Sequence, residues 1–234
     1  MRKKRKNRSR NYEAKLITSS DPKSPISEAF RTIRTNIEFS SIDKQIKNIL
    51  VTSTIPSEGK STIAANLGVT MAAAGKRVLL IDADLRNPTL GKYFNKSSHV
   101  GLTNLLLDDN LGWEEVMLSP GQENLYLLTS GPIPPNPAEL IGSNKMRSFV
   151  AAVSESFDVV LVDSPPVLAV ADASILANYL DGVILVVGTG DATHEQTLAA
   201  KEQLQKAKAN ILGVILNKAP MQEGYYYHYY YGSR

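Results

Sequence analysis

Thr54-Ile55-Pro56-Ser57-Glu58-Gly59-Lys60-Ser61-Thr62 sets a lysine and two hydroxyls directly behind a glycine, at the end of a polar turn. Such a loop binds phosphate: backbone N–H groups wrap the anion, the lysine reaches the outer phosphates and a hydroxyl binds Mg²⁺. Ser57, Glu58, Gly59, Lys60, Ser61 and Thr62 are therefore candidates for nucleotide binding, with Lys60 and Ser61 in the lysine and hydroxyl roles. Two positions depart from the usual pattern, since Thr54 and Ser57 stand where glycines are common. A serine fits there only if its backbone avoids positive φ; otherwise the loop is strained and binds more weakly. Asp82 and Asp84 lie just past one apolar run, and Asp163 just past another. Ligands of open α/β sheets bind beyond the carboxyl ends of the strands, so these acids are expected to converge on the loop. A turn or helix cap explains one strand-end aspartate; it explains Asp82-Ala83-Asp84 and Asp163-Ser164-Pro165-Pro166 together poorly.

The elements that must position these residues alternate along the chain. Apolar runs at 49–52, 78–81, 125–128, 159–162, 183–187 and 211–216 read as strands. Helical patterns cover 27–39, 61–74, 137–140, 145–155, 171–179 and 194–207, the second of them closed by Gly75. In the first, Ala29, Phe30, Ile33 and Ile37 form the apolar stripe, and Ser20-Asp21-Pro22-Lys23-Ser24-Pro25 before it reads as an extended linker. The strands are continuous apolar runs, as expected where helices cover both faces of a parallel sheet. The expected fold is thus α/β, doubly wound, with a mainly parallel sheet and helices on both faces. Asn217, just past the last strand, is the candidate for the adenine side of the site by position alone.

The 234 residues suit a single domain with short extensions, and 43% hydrophobic residues supply a core. Without cysteine there is neither a disulfide framework nor a thiolate metal site, which fits a reducing cytoplasm. No apolar run approaches the ~20 residues that span a bilayer. The first ten residues carry seven Lys and Arg, but Asn11-Tyr12-Glu13-Ala14-Lys15 follows in place of an apolar stretch, so a secretory signal is not expected. That cluster reads as a solvated tail or as an arm lying against anionic lipid. No nucleic-acid partner is expected, because no recognition motif accompanies the charge.

Four motifs in order give a resemblance. Ile81-Asp82-Ala83-Asp84-Leu85-Arg86 looks like the second, aspartate-bearing Walker motif of the bacterial tyrosine kinases, and Leu161-Val162-Asp163-Ser164-Pro165-Pro166 is similar to their Walker B. Ser27-Glu28-Ala29-Phe30-Arg31-Thr32-Ile33-Arg34 carries their Glu-x-x-Arg-x-x-Arg element, and Tyr225-Tyr226-Tyr227-His228-Tyr229-Tyr230-Tyr231 matches their tyrosine-rich tail. From about Ser24 onward the chain resembles the cytoplasmic kinases of capsule and exopolysaccharide operons, of the CpsD or CapB kind; His-Arg-Asp and Asp-Phe-Gly triplets of the eukaryotic kinases are absent.

The resemblance implies ATP and Mg²⁺ as cofactors. Lys60 would hold phosphates, Ser61, Asp84 and Asp163 would bind Mg²⁺, and Asp82 would be the base that takes the tyrosine proton. The phosphoacceptors would be Tyr225, Tyr226, Tyr227, Tyr229, Tyr230 and Tyr231, entering a neighbouring active site. Glu28, Arg31 and Arg34 would join subunits into a ring; as bare residues they read equally as a solvated face with intrahelical pairs. The resemblance divides the chain into a basic tail and linker (1–25), a P-loop kinase domain (26–220) and a tyrosine tail (221–234). It further implies a transmembrane activator of the polysaccharide co-polymerase type, and a cytoplasmic protein held at the membrane through that partner. Positioning and partition ATPases of the ParA and MinD kind share the fold and the aspartates. They usually carry a lysine where this chain has Ile55, and they lack the tyrosine tail. An ATP-binding subunit without transfer activity is the third reading, given Thr54 and Ser57.

Overall fold

The computed structural model describes residues 16–40 and 45–220. The basic cluster at 2–10 and the tyrosines at 225–231 lie outside the described residues. The elements in chain order are α1 (Ile17–Ser20), α2 (Pro25–Ser40), β1 (Asn48–Ser53), α3 (Lys60–Ala73), β2 (Val78–Asp82), α4 (Leu90–Tyr93), α5 (Leu102–Leu107) and α6 (Trp113–Val116). They continue with β3 (Leu125–Leu128), α7 (Pro137–Gly142), α8 (Asn144–Ser156), β4 (Val159–Asp163), α9 (Asp172–Ala177), β5 (Gly182–Gly188), α10 (His194–Lys206) and β6 (Ile211–Asn217).

The strands form one six-stranded sheet in the order β3-β2-β4-β1-β5-β6, every pair parallel. Side chains alternate across it with the period of two that a strand imposes. Leu50, Leu79, Ile81, Val160, Val162 and Leu185 face α5 to α10, whereas Ile49, Val51, Leu80, Leu161 and Ile184 face α2 and α3. The sequence suggested that all six apolar runs are continuous because both faces are buried, and five of the strands are so. β6 is the exception. It closes the sheet, and Val214 and Leu216 are 53% and 68% exposed.

Two expectations near the N-terminus are corrected. Residues 17–20 are helical and 21–24 turn tightly into α2, so the segment before Pro25 is not an extended linker. Ser27 Oγ donates to Asp21 O at 2.7 Å, and Thr18 anchors the turn on Asn66 of α3 through its N–H and hydroxyl at 3.1 and 3.0 Å. Pro25 opens α2, where a missing N–H costs nothing because the first turn has no intrahelical acceptor for it. The stripe of α2 buries Phe30 and Ile37, with Ile33 partly covered, but Ala29 points to solvent and Ser27 takes its place.

α3 carries the phosphate loop at its N-terminus, so its seating on the sheet sets the site. Nearly all of it is buried. Gly68 is the contact point: a Cβ there would meet the side-chain carbons of Leu80 at 2.9–3.1 Å. Gly75, at φ +86, ends the helix in the left-handed conformation that glycine adopts without strain. Gly68→Val should therefore lift α3 from β2 and destabilise the chain by about 2 kcal/mol, the usual cost of overpacking. Chemical denaturation measures this, and an unchanged midpoint would contradict the seating described.

Candidate functional site

The loop between β1 and α3 ends at Gly59, whose φ of +95 turns the chain into the helix. No side chain caps α3. Its first N–H groups, which have no intrahelical acceptor, therefore open onto the loop together with the positive end of the helix dipole. Ser57 adopts φ +69, so the condition under which a serine fits without strain is not met. Thr54 is fully buried, and among the described residues its hydroxyl has no hydrogen-bond partner. The position accepts a side chain, at the cost of an unsatisfied polar atom worth ~1–3 kcal/mol.

The three aspartates converge as expected. Asp82 and Asp163 are partners in the β2–β4 register and both are fully buried; Asp84 is 3% exposed. Lys60 Nζ lies 2.9 Å from Asp84 Oδ2, 3.4 Å from Asp163 Oδ1 and 3.2 Å from Ser61 Oγ. Ser61 Oγ donates to Asp163 Oδ2 at 2.5 Å. Backbone N–H groups hold the acids from behind, Leu90 N–H at 2.9 Å from Asp82 and Asn87 N–H at 3.0 Å from Asp84. Predicted phosphate-loop and metal residues thus occupy one corner of the sheet, at the carboxyl ends of β1, β2 and β4.

Electrostatics follow from burial. Asp82 is pushed up to about 8, first by desolvation and then by the neighbouring Asp163, with Leu90 N–H and Lys60 opposing. Burial likewise raises Asp163 against the pull of Lys60 and Ser61. Burial would lower Lys60, but Asp163 and Asp84 outweigh it and hold its ammonium above the ordinary lysine range. One ammonium thus faces three carboxyl groups, and a divalent cation would offset the negative charge they carry when ionised. Among the described residues no group of three His, Cys, Asp or Glu is arranged to hold a metal by protein ligands alone. Mg²⁺ takes one or two carboxylates and completes its shell with phosphate and water. Ser61, Asp84 and Asp163 fit that use, and the uncapped α3 fits a phosphate beside it.

Asn217 also reaches the loop. Its Nδ2 donates to Glu58 O at 2.8 Å, and a Cβ on Gly59 would meet that nitrogen at 2.2 Å. Glu28, Arg31 and Arg34 lie apart from this corner, on α2. Arg31 pairs with Glu28 at 2.5 Å and with Pro22 O, and Arg34 Nε lies 3.9 Å from Glu38. The Glu28 and Glu38 pairs are intrahelical, and the Pro22 contact ties Arg31 to the turn before α2, all on a partly exposed face.

Several contributors were not read from sequence. Thr89 Oγ1 donates to Ser61 Oγ at 3.0 Å, and Tyr93 OH shares a 2.6 Å hydrogen bond with Thr62 Oγ1. Arg86 grips the buried Asp172 with Nε and Nη2 at 2.9 and 3.0 Å, fastening the segment after Asp84 to α9. Arg86 stood within a recognised motif; nothing in the local pattern marked the other three.

With this geometry in hand, comparison with known proteins is informative. A family profile described as an AAA domain matches residues 46–218. Tyrosine-protein kinase YwqD of Bacillus subtilis is 47% identical, over 97% of this chain and 95% of that protein. The putative tyrosine-protein kinase CapB of Staphylococcus aureus is 38% identical over 93% and 95%. Among solved structures, the chimerical protein CapA2B2 superposes with a TM-score of 0.84 at 41% identity, covering 88% of this chain and 90% of that one. The septum site-determining protein MinD of Pyrococcus horikoshii, complexed with Mg-ADP, reaches 0.63 at 25% identity over 76% and 72%.

The raised Asp82 has a consequence for stability. A carboxyl whose folded pKa lies above its unfolded value stabilises the fold at low pH, and that contribution is lost as pH rises through the folded value. Between about pH 4 and 8 the nucleotide-free protein should lose stability from this group. Asp82→Asn cannot ionise, so it should raise the thermal midpoint much more at pH 8.5 than at pH 5. Equal shifts at both pH values would show that Asp82 is not the raised group.

Proposed function

The chain belongs to the bacterial tyrosine-protein kinases of the CpsD and CapB kind, and on that premise we propose that it transfers the γ-phosphate of ATP to tyrosines of its own C-terminal segment. The observation that carries the reading is the single corner in which Lys60, Ser61 and three aspartates meet the N-terminus of α3. The positioning-ATPase reading is weaker, because the MinD likeness is lower in both identity and superposition than the likeness to CapA2B2.

Bound Mg²⁺ would supply charge neutralisation of the triphosphate. Lys60, now paired to Asp84 and Asp163, would turn its ammonium to the phosphates, while Ser61, Asp84 and Asp163 took up the metal. The N–H groups of α3 would orient the phosphates in line with the incoming hydroxyl, and positioning with charge stabilisation should supply most of the rate. A tyrosine hydroxyl ionises near pH 10, so a carboxylate must take its proton as the oxygen bonds phosphorus and ADP leaves. Asp82 is assigned that role: each of its oxygens accepts one N–H and keeps a second lone pair.

The acceptors are Tyr225, Tyr226, Tyr227, Tyr229, Tyr230 and Tyr231. Glu28, Arg31 and Arg34 would exchange their intrahelical pairing for contacts with a neighbouring copy in a ring. The protein would work in the cytoplasm in capsular or exopolysaccharide production, with a transmembrane activator of the co-polymerase type. Among the described residues no helix is long and apolar enough to cross a membrane itself.

Incubating the protein with Mg-ATP and mapping phosphotyrosine by mass spectrometry tests the assignment. Modification should be confined to the 225–231 tyrosines. It should be abolished by Lys60→Met and fall ~10²–10⁴-fold in Asp82→Asn with nucleotide binding retained, as expected for a general base. Full activity in both variants would end the proposal. Six phosphates would add roughly −9 to the tail of each copy and should loosen the ring. Native mass spectrometry should then show smaller assemblies after phosphorylation, and unchanged assemblies would refute that step.

A further inference from the structure

Glu58 is out of place in a loop that attracts anions. Its carboxylate is fully buried, and among the described residues no cation pairs with it. Its hydrogen bonds explain its presence. Oε2 accepts the N–H of Ile55 at 2.9 Å, closing the loop on itself, and Oε1 accepts the N–H of Gly188 at 2.9 Å, at the end of β5. Its carbonyl takes the Asn217 amide at 2.8 Å, at the end of β6. One residue further, Lys218 adopts φ +58 and reaches back with its ammonium to Ser57 O at 2.7 Å and Asp191 Oδ2 at 2.6 Å.

Ser57 and Lys218 are thus two left-handed, non-glycine positions joined by a hydrogen bond. Such strain persists only where the surroundings over-determine it. The surroundings here are five hydrogen bonds from three segments: the loop itself, the end of β5 with the turn bearing Asp191, and the end of β6. A Cβ on Gly59 would strike the Asn217 amide, so the loop passes close to the end of β6.

We propose that Glu58 and Lys218 are positioning residues that strap the phosphate loop in its binding conformation, so that its N–H groups are preformed. The inference rests on the kinase reading for its consequence, since a preformed loop lowers the ordering cost of nucleotide binding. Neither residue touches the reacting atoms.

The test uses the full chain with Glu58→Gln, Lys218→Met and Lys218→Arg. A glutamine presents an NH₂ to one of the two N–H groups that Glu58 now accepts, and methionine keeps the stem of Lys218 without its charge. Hydrogen exchange of the nucleotide-free proteins should quicken about tenfold in residues 54–59 of Glu58→Gln and less in Lys218→Met, with the amides of β2 and β4 unchanged. Titration with a fluorescent ADP and Mg²⁺ should show roughly tenfold weaker binding for Glu58→Gln and about threefold for Lys218→Met, restored by Lys218→Arg. In the kinase assay KM for ATP should rise while kcat stays within about twofold. Wild-type exchange and wild-type affinity in both Glu58→Gln and Lys218→Met would overturn the strap. Should Glu58→Gln fail to fold, the exchange and affinity of Lys218→Met alone decide it. Exchange that quickens in a protein whose wild type binds no nucleotide would support the strap and count against the kinase reading.

Discussion

Two fully buried carboxylates, Asp82 and Asp163, sit side by side because β2 and β4 are paired in register, and Lys60 is the nearby cation that offsets their charge. Isolated charges are not tolerated in such a place; they neutralise or find partners. Both responses are visible. Asp82 holds its proton to about pH 8, while Asp84 and Asp163 share one ammonium. The arrangement is stable only as a compromise, and its excess negative charge is what makes the corner receptive to a divalent cation. Nucleotide, metal and lysine would then exchange partners within one small volume.

The fold serves this corner in layers. The all-parallel sheet sends the carboxyl ends of β1, β2 and β4 to one edge, so a loop and two acidic motifs far apart in sequence meet there. α3 is set close to β2 by the lack of a side chain at Gly68, which brings the uncapped N-terminus to the same edge. Arg86 and Asp172 fasten the segment after Asp84, and Leu90 N–H and Asn87 N–H brace the acids. Strain accumulates where binding is expected, at Ser57 and Lys218 and at the unbonded hydroxyl of Thr54. Of the two alternatives left open for Ser57, a relaxed backbone or a strained one, the loop takes the strained one, held there by its neighbours on β5 and β6.

Strands, long helices and the fold class were legible because hydrophobic period and turn residues are local signals. The strand-end position of Asp82, Asp84 and Asp163 was legible for the same reason. Strand order was not, since nothing in an apolar run names its neighbour. The four-residue helices α1, α4 and α6 escaped because helices this short have no intrinsic stability and exist only through tertiary contacts, such as Thr18 on Asn66 and Leu90 in the core. Thr89, Tyr93 and Lys218 were missed because each acts through a contact distant in sequence: Ser61, Thr62 and Ser57. Exposure along β6 could not be read either, because an edge strand and a central one share the same apolar run.

The account stands on the claim that the carboxylate corner is completed by a metal-bound nucleotide. Calorimetric titration with ADP at pH 7, with and without Mg²⁺ and in two buffers of different ionisation heat, examines it directly. Binding should require Mg²⁺, and its heat should differ between the buffers as the cation drives the proton from Asp82 into solution. Binding that is equally tight without Mg²⁺, or no heat in its presence, would contradict the account.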